Sequence, residues 1–291
     1  MTEITCVVDA YDALGECCLW CPVTKRVWWL DIRRPSLQSY DPASRQHQVY
    51  LLPGRYCGCA ALRKSGGFVV ALDDGLHGFD PATGKLQFLV HAESNEPGNR
   101  YNDGRCDRRG RLWIGTMDIN MRSASGSFYR ISADRSVTRL FDGITVPNST
   151  TFSPDDRTVY FADSPRRVIW AFDFNLHAGM IGERRVFAEL AGRTGYPDGS
   201  CVDAEGFLWN AEYAGGRLTR YAPDGRVDRN IELPVTNPTC CCFGGEALDT
   251  LYVTSATAPP QPGQATPAPM EGGLLALDIG VRGLPEAAFG G

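Results

Sequence analysis

This sequence predicts an all-β fold, a six-bladed β-propeller with four-stranded blades around a central channel, on two observations. The first is a repeated phrase, a polar turn followed by an alternating hydrophobic strand that contains an aromatic. It appears at Trp28 (KRVWWLDI), Val69 (GGFVVALDD), Trp113 (GRLWIGTMD), Tyr160 (DRTVYFAD), Trp209 (GFLWNAEY) and Tyr252 (DTLYVTSA), at intervals of 41, 44, 47, 49 and 43 residues. That is the period of a four-stranded blade. The second is the unit that follows each copy: LQSYDPAS, LHGFDPATG, FYRISADRS, VIWAFDFN, RLTRYAPDG and GGLLALDIG. Apolar and polar residues alternate over five to seven positions, bounded by Asp-Pro, Asp-Gly and Pro-Asp turns, which is the pattern of hairpins.

The remaining elements fit the same ring. No segment carries a helical stripe of apolar residues three and four apart. The stretch around Ile4 to Val8 is the candidate for the strand that completes the last blade and closes the ring, which limits exposed strand edges. Residues 1–291 are expected to form one domain, since closed all-β rings reach this length. The Pro-rich stretch from Ala258 to Pro269 falls between the two hairpins of the last repeat and reads as a surface loop, with a lid as the sharper reading.

Charge and cysteine content narrow the partners. The net charge is −5 with both signs mixed along the chain, so nucleic acid and anionic membrane are not expected partners. The start lacks a basic leader followed by an apolar run, and no stretch is long enough to span a bilayer, so a cytoplasmic protein is expected. Eleven cysteines, an odd number that includes Cys17-Cys18 and Cys240-Cys241-Cys242, suit reduced thiols better than a disulfide framework. Cys18-x-x-Cys21 and Cys57-x-Cys59 invite a zinc reading, but without a second CxxC pair they read as small buried hydrophobes.

The register of the repeats singles out a site. The innermost strand of each blade lies against the channel, so equivalent positions converge on the axis. Eleven or twelve residues before the anchors stand Glu16, Cys57, Asn102, Asn148, Asp198 and Cys240. Four of the six carry side-chain oxygens and two are carboxylates, which in a narrow channel would be costly unless a cation coordinates them. Oxygen donors without histidine suit calcium, magnesium or manganese, with zinc or iron(II) admissible when water completes the shell. Taken singly, Pro147-Asn148-Ser149 and Pro197-Asp198-Gly199 would read as turns. The four histidines, at 47, 77, 91 and 177, match no axial position, which argues against a Ser-His or Cys-His nucleophile.

The segments LGECCLW (14–20), RYNDGRCDRRGRLWIGTM (100–117), VPNSTTFSPDDRTVYFADS (146–164), YPDGSCVDAEGFLW (196–209) and CCFGGEALDTLYVTSA (241–256) resemble the gluconolactonase, regucalcin (senescence marker protein) and luciferin-regenerating enzyme family, in order and over nearly the whole chain. The resemblance implies a six-bladed propeller with one catalytic divalent ion at Glu16, Asn148 and Asp198, and substrate contacts from Arg100 and Asn102. It also implies that Asp198 serves both as ligand and as the base that accepts a proton from water. The chain departs from the family at Cys17-Cys18, where Gly-Pro is usual, and at Ser149, where Gly is usual. Loss of that glycine is expected to disfavour a positive φ, and Cys17 is expected near the ion.

The resemblance thus implies hydrolysis of a sugar-acid lactone to the free aldonic acid. A divalent ion would polarise the ring carbonyl, and Arg100 and Asn102 would orient the sugar. Specificity would come from mouth loops near Asp118, Asn120 and Tyr213. The rival readings are a calcium-dependent phosphotriesterase or other esterase on the same scaffold, and a non-enzymatic calcium-binding propeller.

Overall fold

The computed structural model describes residues 3–257 and 269–291. Six four-stranded antiparallel sheets are arranged as blades of a propeller. Their first strands, Gly15–Cys21, Cys57–Leu62, Asn99–Cys106, Pro147–Phe152, Tyr196–Val202 and Pro238–Gly244, touch one another in cyclic order and form the wall of the channel. The last blade is completed by Ile4–Val8, which pairs antiparallel with Leu274–Asp278, so the N-terminal strand closes the ring as the sequence suggests. Among the described residues the only helical turn is Ser164–Arg166. No helix there is long and apolar enough to cross a membrane. The expected Pro-rich loop or lid lies, over residues 258–268, outside the described residues.

The repeated phrase has a physical cause. In CDRRGRLW, Asp107 Oδ1 accepts the backbone N–H groups of Arg109 and Arg111 at 3.0 and 3.1 Å, while Oδ2 accepts the indole N–H of Trp113 at 2.9 Å. In VDAEGFLW, Asp203 does the same for Glu205, Phe207 and the Trp209 indole at 3.0, 3.0 and 2.9 Å. In each case one carboxylate caps the tight turn and also fixes the anchor of the next strand. Trp113 and Trp209 are fully buried between blades, where each large ring contributes heavily to the apolar core.

One end of the channel is crossed by the C-terminal segment. Phe289 is buried, its N–H donates to the Leu62 carbonyl at 2.7 Å, and its own carbonyl accepts from the Lys64 N–H at 2.8 Å. Arg105 on an inner strand pairs with Glu286 of this segment at 2.6 Å. The other end is left to the candidate site.

Candidate functional site

Pairing between strands fixes the register that counting along the chain left open. The anchors Trp28, Val69, Trp113, Tyr160, Trp209 and Tyr252 lie opposite Leu19, Ala61, Arg105, Thr151, Cys201 and Cys242. Three residues before each partner stand Glu16, Gly58, Asn102, Asn148, Asp198 and Thr239. Glu16, Asn102, Asn148 and Asp198 therefore share one level, as expected, whereas Cys57 and Cys240 are each displaced by one position. The turns joining first and second strands differ in length, so a fixed count from the anchors cannot hold in every blade.

Each inner strand breaks its register beside this level. Such bulges bend a strand and re-aim a side chain. Cys17, Asp103 and Ser149, which follow Glu16, Asn102 and Asn148, have φ of 56°, 48° and 60°. The expectation that Ser149 would disfavour a positive φ is corrected here. Its hydroxyl donates to the Asp198 carbonyl at 2.6 Å and accepts from Asn210 Nδ2 at 3.1 Å, interactions that offset the ~1–2 kcal/mol steric cost of the left-handed region. Cys17 also departs from expectation: its thiol turns to the neighbouring inner strand and donates to the Ala60 carbonyl at 3.1 Å. A hydrogen bond with Cys59 and burial hold that thiol well above the usual range.

A cavity of ≈ 390 Å³ opens over this level, lined among others by Glu16, Arg100, Asn102, Asn148 and Asp198. Asn102 is the organiser. Its Nδ2 donates to the Pro147 carbonyl at 2.8 Å and to Asn148 Oδ1 at 3.2 Å, and its Oδ1 accepts from Arg100 Nη1 at 2.8 Å. Asn148 Nδ2 donates to Ser164 Oγ at 2.8 Å, and Ser164 Oγ donates to the Pro197 carbonyl at 2.7 Å. One chain of hydrogen bonds thus links Arg100 to the residue before Asp198.

The electrostatics of the floor are strained. Burial, then the charge of Asp103, pushes Glu16 up to about 7, against the Cys17 N–H that donates to Oε2 at 3.1 Å. Burial and the neighbouring Glu16 push Asp198 well above the ordinary carboxylate range. Burial lowers Arg100 to about 10, although Glu16 pulls the other way. Two adjacent buried carboxyl groups cannot both carry charge cheaply.

The donor set fits a divalent cation. Asp198 Oδ1 is buried without a hydrogen-bond partner, and an orphaned carboxylate oxygen of this kind is costly unless something satisfies it. Among the described residues no three His, Cys, Asp or Glu side chains converge as a metal-holding group. A cation here would rely on the two carboxylates, the Asn148 amide oxygen and water, a hard-oxygen set.

Some residues of the site are not legible in the sequence as candidates. Asp103 accepts the Thr150 N–H at 2.7 Å from the next inner strand; the bulge breaks the alternation that would otherwise point to it. Ser164 sits in a short helical turn outside the repeat. Arg33, Met117, Met121 and Tyr196 also line the cavity. Of the three residues expected near the mouth loops, Tyr213 lines the cavity, whereas Asp118 and Asn120 do not, although Met117 and Met121 on either side of them do. Asp118 instead caps its own loop by accepting the N–H groups of Asn120 and Arg122 at 3.0 and 2.8 Å.

Together, six blades and a floor of two carboxylates and two carboxamides define a propeller with an oxygen-lined axial cavity. The chain belongs to the family described as SMP-30/Gluconolactonase/LRE-like region, whose pattern matches residues 14–257. It is 33% identical to regucalcin of Xenopus laevis over 296 residues, covering 99% of each chain. It is 35% identical to 6-deoxy-6-sulfogluconolactonase of Pseudomonas putida over 290 residues, again covering 99% of each. A crystal structure of a calcium-binding protein, regucalcin, from Agrobacterium tumefaciens superposes with a TM-score of 0.92 at 33% identity, covering 99% of this chain and 97% of that one.

Proposed function

We propose that this chain is a hydrolase of carboxylic ester bonds that opens a sugar-acid lactone to the free aldonic acid, with one divalent cation held by Glu16, Asn148 and Asp198. The observation that carries this reading is the buried Glu16 and Asp198 pair, with Asp198 Oδ1 unpartnered, at the floor of an open cavity beside Arg100. Membership of a family that includes the sulfogluconolactonase of Pseudomonas putida supports the lactone as substrate class. When bound, a divalent cation would supply Lewis acidity toward the ring carbonyl oxygen.

The protein's own groups have separate tasks. Asp198 is the base that accepts a proton from the attacking water, because it lines the cavity and a divalent cation beside it would offset the burial and the Glu16 charge that otherwise favour its protonated form. Arg100 and Asn102 orient the sugar hydroxyls. Arg100 is well placed to do so, since Asn102 and the Tyr101 carbonyl, at 2.8 and 2.9 Å from Nη1, hold its guanidinium and reduce the entropy lost on binding. Met117, Met121 and Val146 give the cavity an apolar side that limits water.

The test is acid release from pentono- and hexonolactones by chelator-treated protein, with and without calcium, zinc, magnesium, manganese or iron(II). Asp198→Ala is expected to lose turnover and metal affinity while remaining folded, and Arg100→Ala to raise KM more than it weakens metal binding. Folded Asp198→Ala with near-normal lactonase activity would sink the assignment. A second reading, a non-enzymatic calcium-holding propeller, draws on the Agrobacterium relative described as calcium-binding. It is favoured if calcium binds and no lactone or ester is turned over.

A further inference from the structure

Two adjacent arginines at the mouth of the channel behave differently. The strand Arg26–Asp31 ends on Asp31, whose carboxylate accepts the N–H groups of Ala13, Leu14, Arg33 and Arg34 at 2.9, 3.2, 3.1 and 3.2 Å. Arg34 folds back on the same carboxylate, Nε to Oδ2 at 2.8 Å. Arg33 does not: it is exposed, lines the cavity, and among the described residues its guanidinium has neither a hydrogen bond nor an ion pair. After two equivalent strand ends the arginine is paired, Arg166 with Asp163 at 3.0 Å and Arg217 with Glu212 at 2.8 Å; Arg122, after the strand that ends at Asp118, is unpaired among the described residues but does not line the cavity.

What sets Arg33 apart is its place in the cavity lining and the charges around it. Arg33 lies close enough to Arg100 to contribute to lowering its pKa, and its charge also reaches the Tyr213 phenol. Two guanidinium groups facing one cavity repel each other unless an anion enters between or beside them. The apolar lining, with Met117, Met121, Val146 and Pro165, offers no charge. With Glu16 and Asp198 balanced by a divalent ion, Arg33 and Arg100 would be the charged side chains left in the cavity lining.

We propose that Arg33 is a specificity-determining residue that binds an anionic substituent, a phosphate, sulfonate or carboxylate, on the substrate carbon remote from the ring carbonyl. The substrate class is thus an anionic sugar lactone rather than a neutral one. The proposal rests on the lactonase reading for its chemistry, but the cationic mouth is a property of the cavity itself. Asp198 and Asn148 mark the reacting end; Arg33 is the exposed cation of the same cavity, where a substituent at the far end of a pentose or hexose acid would arrive.

Calorimetry on calcium-loaded protein with gluconate, glucarate and 6-phosphogluconate tests it without requiring turnover. Either more highly charged acid is expected to bind at least tenfold tighter than gluconate, equivalent to about 1.4 kcal/mol. Glucarate separates a carboxylate from a phosphate as the preferred group. Arg33→Gln should erase most of that advantage and Arg33→Lys keep part of it, because a lysine retains the charge but not the planar fork. The advantage should also shrink at high salt. Equal binding of all three acids, or an advantage that survives in Arg33→Gln, overturns the proposal. In parallel, the kcat/KM ratio of 6-phosphogluconolactone to gluconolactone should fall about tenfold in Arg33→Gln through KM, the loss of about 1.4 kcal/mol of binding. If the binding preference appears but no lactone is hydrolysed, the lactonase reading fails and the anion site stands.

Discussion

Ser149 Oγ donates a 2.6 Å hydrogen bond to the backbone carbonyl of Asp198, reaching from one blade to the next out of a left-handed backbone with φ of 60°. The bond ties the residue after Asn148 to the backbone of Asp198, so the two central side chains are positioned by a contact that neither makes itself. Ser149→Ala keeps the strained φ and loses the hydroxyl, and is expected to destabilise by about 1–2 kcal/mol. Ser149→Gly loses the same bond but relieves the strain, and should fall within about 1 kcal/mol of the wild type. Urea unfolding of both variants decides: equal losses would show that the backbone strain is not real.

Gly58 occupies the same level of the ring in the second blade, where a Cβ would run into the backbone carbonyl of Tyr101. That backbone carries Arg100 and Asn102. Gly58→Ala is expected to cost about 1–3 kcal/mol by overpacking and to raise KM for a lactone by moving both side chains. Thermal melts and steady-state kinetics measure the two effects. An unchanged melting temperature would mean the strands separate freely at this point.

Asp12 is buried, with Gln38 Nε2 and the Trp29 indole donating to it at 2.6 and 2.8 Å. Burial still wins, and raises its pKa from 3.8 to about 7. The folded state therefore holds this proton more tightly than the unfolded one. The stability that the bound proton contributes is fully present below about pH 4 and is lost as pH rises through 7. Between those limits the loss runs at about 1.4 kcal/mol per pH unit. Urea titrations between pH 4 and 8 should show Asp12→Asn gaining on the wild type as pH rises. Parallel pH profiles for the two proteins would remove Asp12 as the cause.

All eleven cysteines are free, and only Cys6 is partly exposed. Cys18 and Cys242 approach to 3.1 Å between the first and last blades, and burial raises both thiols, Cys18 to about 11. Since the thiolate is the reactive form, a thiol reagent at neutral pH should modify about one group in the native protein and all of them in denaturant. Rapid native labelling of several groups would show that the blades open readily.

The repeat, the six anchors and the closing strand are legible in the sequence because alternation and turn chemistry are written in residues adjacent along the chain. Glu16, Asn102, Asn148 and Asp198 are legible for the same reason, since each lies a nearly constant distance from its anchor. Gly58 and Thr239 are not, because the turn between the first two strands varies in length and only pairing across the sheet sets the register. Nor is Asp103, which the bulge turns against the usual alternation. Whether Cys17 faces the axis or its neighbour and whether Ser149 can hold a positive φ depend on partners in distant segments, and which of Arg33 and Arg34 remains free depends on how the turn after Asp31 folds back on its carboxylate. The sequence by itself determined a ring of six sheets with an oxygen-rich level at its axis. The tertiary structure decided which side chains meet there, because the bulges and blade contacts that aim them arise only when strands far apart in the chain are packed together.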